Sequence, residues 1–158
     1  MTDNDRSLRE QLGILLDGGQ AHVEIGVALD KLSFEDLSKT PVGSPRTLWE
    51  LFEHIRIAQW DILEFIRSAE HQSPEWPKGC WPEDTAPKDL ATWQSSLALF
   101  RHDLDTVKAL VLDSDVDLHE TIPHGDGQTI LREVLLIADH NAYHLGQMVL
   151  LTKLLGSW

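Results

Sequence analysis

The chain has 158 residues, enough for one substantial hydrophobic core, and a single domain over residues 1–158 is expected. Its 42% apolar content is globular, and no apolar run reaches the roughly 18 residues of a membrane span. Thirteen Lys and Arg against 26 Asp and Glu leave a formal net charge of −13, which repels nucleic acid and anionic membranes, so neither is expected as a partner.

The chain opens on "MTDNDRSLRE", which is polar and acidic and lacks the basic, apolar and small-residue order of a secretory signal. A first helix is expected over roughly Asp5 to Asp17, with apolar residues at Leu8, Leu12, Leu15 and Leu16. Gly18-Gly19 weaken or break it, since glycine costs about 1 kcal/mol against alanine inside a helix. Helical character resumes near Val23 to Leu32, as a continuation or as a short separate helix.

The second long helix is expected to start with Ser44 as its cap and Pro45 at the first helical position. Leu48, Leu51, Phe52, Ile55, Ala58, Ile62, Phe65 and Ile66 make its apolar stripe, as far as about Ser68. The segment "HQSPEWPKGCWPEDTAP", with four prolines and two tryptophans, is a loop expected to fold over one end of the helices. It holds Cys80, the single cysteine, which excludes an internal disulfide and fits a reducing cytoplasm. No base stands beside Cys80 in the sequence, so a nucleophilic role is not expected.

Helix three follows over about Lys88 to Leu112, with Leu90, Trp93, Leu97, Phe100, Leu104 and Val107 facing inward. "PHGDGQT" breaks the chain, and helix four runs over about Thr129 to Leu155. No strand series, internal repeat or low-complexity tract appears. The pattern predicts an all-α fold, a four-helix bundle with connecting loops long enough for crossovers.

Helix four contains "LLIADHNAYHLGQMVLL", an apolar stretch with His140 and His144 four positions apart. At about 100° per residue, Ile137, His140, His144, Met148 and Leu151 share the bundle-facing seam. Two imidazoles on adjacent turns can hold one divalent ion, or they can be two packed core histidines, since HxxxH arises by chance. His54, at the edge of the helix-two stripe beside Leu51, Ala58 and Phe65, is the candidate third ligand. Three imidazoles leave coordination positions open, the arrangement of catalytic rather than structural sites, and admit zinc, nickel, iron or copper.

Other residues are ambiguous. His22 either is solvated or reaches the mouth of the site. Glu133 and Asp61, each two turns from a candidate ligand, either support a ligand through a hydrogen bond or serve their own helices. Asp139 points about 100° away from His140. His71, His102, His119 and His124 read as surface. There is no GxSxG, phosphate-binding glycine loop, HExxH or CxxC.

The segments "DHNAYHLGQM" and "LWELFEHIRIAQWDILEF", joined by "LLDGGQAH", "SPEWPKGCWPE" and "IPHGDGQTILREVLLIADHNAYHLGQ", resemble the DinB/YfiT-like superfamily over nearly the whole chain. The resemblance implies a four-helix bundle whose metal, often nickel or zinc, sits on one histidine of the second helix and two of the fourth: His54, His140 and His144. It also implies a homodimer and, by analogy with relatives of known activity, transfer of a low-molecular-weight thiol or isomerisation of a thiol adduct. The chain departs from the pattern at Cys80, where an aromatic residue is expected before "WPE".

Three functions follow from these observations. The first is a metal-dependent thiol transferase or related thiol-adduct enzyme. The second is a metal-dependent hydrolase, which needs Glu133 or Asp61 as a base. The third is a non-catalytic metal- or ligand-binding stress-response protein.

Overall fold

The computed structural model describes residues 2–158. Five α-helices follow one another: α1 (Asp3–Asp17), α2 (Ile25–Asp30), α3 (Leu48–Arg67), α4 (Leu90–Leu112) and α5 (Ile130–Leu154). Short 3-10 turns lie at Phe34–Asp36 and Lys78–Cys80. The described residues contain no strand, only an isolated bridge between Thr121 and Thr129, so the class is all-α. No helix among them is long and apolar enough to cross a membrane.

The glycine pair decides the first ambiguity. Gly18 and Gly19 have φ of 77° and 85°, a region in which only glycine is unstrained, and the Gly18 N–H closes α1 on the Ile14 and Leu15 carbonyls. A Cβ at Gly18 would stand 2.8 Å from the His22 ring, so the turn also needs the missing side chain. Helix α2 is therefore separate from α1.

Helix α3 starts three residues later than the Ser44–Pro45 signal suggests. Thr47 is its cap: the Thr47 hydroxyl accepts from the Glu50 N–H at 3.1 Å, and the Glu50 carboxylate accepts from the Thr47 N–H at 2.9 Å. This reciprocal box satisfies two otherwise unpaired N–H groups, which Ser44 could not do. The Ser44 hydroxyl instead donates to the Arg46 carbonyl within the preceding turn.

The inner face of α3 also turns away from the expected stripe in its second half. Ala58, Ile62, Phe65 and Ile66 are half-buried, whereas Gln59 and Leu63 are fully buried. Gln59 donates to the Phe100 carbonyl of α4 at 2.9 Å and accepts from the Asn141 amide of α5 at 2.9 Å. A polar side chain thus ties three helices together at the position the apolar pattern skipped. On α4, Leu90 is exposed, while Trp93, Phe100, Leu104 and Val107 are buried as expected.

Helices α3 and α1 each pack against both α4 and α5, so the four long helices close a ring of neighbours, with α2 laid against α5. One core joins them, with Phe52, Phe100, Ile137, Met148 and Val107 at its centre. Phe52 meets Trp93 and Phe100 edge-on at 4.7 and 5.8 Å. Arg9 of α1 is buried and holds the end of α4, donating to the carbonyls of Val111, Asp113 and Val116 at 2.7–2.8 Å. The long 71–87 connection folds back as a strap beside α3, and its Cys80 and Trp81 come to rest on His54.

Candidate metal centre

His54 projects from the middle of α3, and His140 and His144 from adjacent turns of α5, its main neighbour. Because α3 and α5 pack face to face, residues four apart on α5 present their rings to the same point on α3. One nitrogen of each imidazole lies within 4.8 Å of those of the other two. The ring centroids form a nearly equilateral triangle, with sides of 4.8, 4.6 and 4.6 Å. His54 and His144 are buried and His140 is half-buried.

The hydrogen bonds around the triangle fix which nitrogens face inward. His54 Nδ1 donates to the Cys80 carbonyl at 2.6 Å, which leaves the Nε2 lone pair unprotonated. His144 Nδ1 donates to the Gln147 amide oxygen at 3.1 Å and leaves its own Nε2 free in the same way. His54 Nε2 faces His140 Nε2 at 3.1 Å. Two imidazole nitrogens bound at about 2.0–2.1 Å to one divalent ion stand roughly 3 Å apart, so the spacing fits a shared ion. His140 Nδ1 is buried without a partner, as is the Asn141 side-chain oxygen beside it.

Burial keeps all three imidazoles neutral. His140 is pushed down to about 4, by burial first and then by His144 and His54. His54 and His144 are also lowered, again mainly by burial, with Arg46 adding to the effect at His54 and the Cys80 carbonyl opposing it. No carboxylate acts on any of the three. Neutral imidazole is the form that ligates metal, so the unoccupied proton sites are ready for an ion at neutral pH.

The Pro/Trp strap covers one side of the triangle. The Trp81 indole stacks on His54, with parallel planes and centroids 3.9 Å apart, and the Arg46 guanidinium lies 4.2 Å over the indole. Beside His144 and Trp81 opens a cleft of about 580 Å³. Its walls are mainly apolar, with Leu51, Leu150, Leu151 and Leu154, and its polar groups include Arg46, Gln147 and Tyr143. The triangle is thus walled by protein on the α3, α5 and strap sides, and His144 is the histidine of the three that borders this cleft.

The remaining residues singled out in the sequence lie apart from the triangle. The Asp61 carboxylate accepts from His71 Nε2 at 2.7 Å, and Glu133 is buried in the first turn of α5, where Arg132 pairs with it. His22 is exposed and bonds the Val23 carbonyl, in a crevice with Ala138, Asn141, Ala142 and Leu145 rather than in the cleft lined by His144. His71 is not a surface residue: its side chain is 9% exposed, held by Asp61 and set edge-on to Trp60. His102, His119 and His124 are exposed. Four participants were missed: the Cys80 carbonyl, Trp81, Gln147 and Arg46. Gln147 had a readable signal, its three-residue spacing from His144 on one helix. A backbone carbonyl in a loop has none.

A family model described as the DinB superfamily matches residues 23–148, and the chain belongs to that superfamily. No curated protein and no solved structure matches the chain.

Proposed function

We propose that this DinB-superfamily chain holds one divalent transition metal on His54, His140 and His144 and acts on a small thiol at the side of that ion facing the cleft. The carrying observation is the convergence of three neutral imidazoles, two with their outward nitrogens already hydrogen-bonded, beside an apolar cleft. A bound divalent ion would supply a positive charge that lowers the pKa of a coordinating thiol.

The chain's own residues do the rest. The Cys80 carbonyl and the Gln147 amide orient His54 and His144, Trp81 shields His54 from water, and the leucines beside the cleft receive an apolar body. Cys80 is not a second nucleophile: burial, and then Asp61, push its thiol up, so it stays protonated. Nickel or zinc are the foremost ions, and iron or copper suit the same three nitrogens. The reading includes a four-helix bundle acting as one domain in the cytoplasm. It also includes a homodimer, supported by the exposed apolar side chains Leu135 and Leu136 of α5, which lie outside the cleft.

The hydrolytic alternative lacks its base, because Asp61 and Glu133 are engaged elsewhere and no carboxylate belongs to the group of potential ligands among the described residues. Elemental analysis of protein purified without a histidine tag tests the metal; about one ion per chain is expected. Turnover of thiols with electrophiles such as epoxides or activated alkenes tests the chemistry. Stoichiometric metal without metal-dependent turnover across the panel would leave the non-catalytic, stress-response binding role in its place.

A further inference from the structure

The cleft beside His144 carries an asymmetry of charge that the thiol reading does not use. Arg46 is the single charged side chain on its wall, and no carboxylate lines it, in a chain whose formal net charge is −13. One isolated guanidinium cannot reverse the repulsion that such a chain exerts on anions at a distance, so its effect is local selection rather than steering.

Arg46 is also held in place. Its Nη1 donates to Glu50 Oε1 at 2.7 Å, while the other Glu50 oxygen is taken by the Thr47 N–H of the helix cap. Its flat face rests on Trp81. Glu50 therefore uses one N–H of five, and no other acceptor among the described residues stands against the remaining donors. The Arg46 side chain is 39% exposed and borders both this cleft and a neighbouring cavity with Glu75, Lys78 and Glu83, to neither of whose carboxylates it is bonded, so its donors keep an open edge. Held by a stacked ring and a buried carboxylate, the fork keeps its orientation before any ligand arrives.

We infer that the ligand of this cleft is an amphipathic carboxylate, read at one end by Arg46, with its apolar body along Leu150, Leu151 and Leu154. The inference rests on the cleft being the approach to the metal centre. His54 covers one face of the Trp81 indole and Arg46 the other, so the carboxylate and the metal-binding end are held apart by at least the thickness of the ring. A carboxylate next to the thiol is too short to meet both; a chain of several carbons is required.

Calorimetric titration of the metal-free protein with octanoate and with octanol tests the anion site without any metal. Octanoate is expected to bind about tenfold or more tightly than octanol, as a charge-assisted fork contact implies. Arg46→Gln should remove that preference and leave octanol unchanged, and Arg46→Lys should restore only part of it. Equal affinities in the wild-type protein, no binding of either, or equal weakening of both by Arg46→Gln would overturn the inference. The wild-type comparison decides the matter even if the variants fail to fold.

The cobalt-loaded protein titrated with 8-mercaptooctanoate then tests the thiol separately, through a sulfur-to-metal absorption band. Octanoate preference with no such band would sink the thiol reading and leave the Arg46 site standing. A band of equal strength and affinity with octanethiol would do the reverse.

Discussion

The three histidines are not equivalent, and their neighbours say how each should respond to change. His54 is fixed by a carbonyl and a stacked indole, His144 by a glutamine on its own helix, and His140 by nothing on its Nδ1 side. Alanine at any of the three leaves two ligands, and purified protein should fall from about one ion to well below 0.2 per chain by elemental analysis. Retention of stoichiometric metal by His54→Ala would remove the proposed centre. Gln147→Ala spares all three ligands but frees the His144 ring, and a roughly 10–100-fold weaker metal affinity is expected in a competition titration with a chelator. The metal-free protein should also respond to acid. Because the folded chain holds His140 at about 4 rather than 6.5, the unfolded chain takes up the proton first as pH falls. The resulting stability is complete above about pH 6.5 and drains away down to about pH 4. Between pH 7 and pH 5 the loss from His140 should be about 1–2 kcal/mol by urea denaturation. His54 and His144, shifted in the same direction, add to it. A stability that stays flat across this interval would contradict the burial assigned to these rings.

At the scale of the helix, polar side chains decide where α3 begins and how it is set against its neighbours. Thr47→Ala deletes the hydroxyl half of the capping box and should cost about 1 kcal/mol in a denaturant titration, with metal content unchanged. Gln59→Leu keeps the volume roughly constant but leaves the Asn141 amide buried without its acceptor, at an expected cost of about 1–3 kcal/mol. That variant should also loosen the alignment of α3 with α5, on which the meeting of His54 with His140 depends. These two positions mark where the sequence was readable and where it was not. The apolar period gave the four long helices to within a few residues, because burial of one face is a local, repeating demand. Ser44 and Pro45 make a legitimate start signal, yet Thr47 with Glu50 satisfies more backbone donors and wins. Gln59 is invisible to a hydrophobic pattern because its burial depends on partners on two other helices. The same reason separates the histidines from their surroundings. HxxxH on a seam and a histidine on a second stripe can be seen in one dimension. The strap that seats a carbonyl on His54 joins residues 26 apart through a turn that no period encodes.

Across the whole molecule, α3, α5 and the strap meet at the histidine triangle; the main core ties the first two, and the strap's Trp81 packs against its edge. The strap is anchored at His71 by Asp61, at Thr85 by the Thr47 hydroxyl and at Trp81 by Arg46, and its middle rests on His54 through one hydrogen bond and one stacked ring. An ion on the triangle would fix the His54 ring from its inner side, and so would stiffen the seat on which Cys80 and Trp81 rest. Since the triangle exists only in the folded chain, metal binding adds directly to folding stability. At a free metal concentration 100 times the dissociation constant the gain is about 2.7 kcal/mol. For a chain of this size that corresponds to a Tm increase of roughly 5–10 °C by calorimetry, reversed on chelation. The same ion should slow amide exchange in the Lys78–Cys80 turn of the strap more than in the first turn of α1, which shares no contact with the triangle. Trp81→Ala separates strap from metal: it keeps the three ligands, so the Tm increase should persist while the added protection of the turn shrinks. Equal protection of strap and α1 on loading would mean that the ion stabilises the fold only globally, and that the strap does not report on the site it covers.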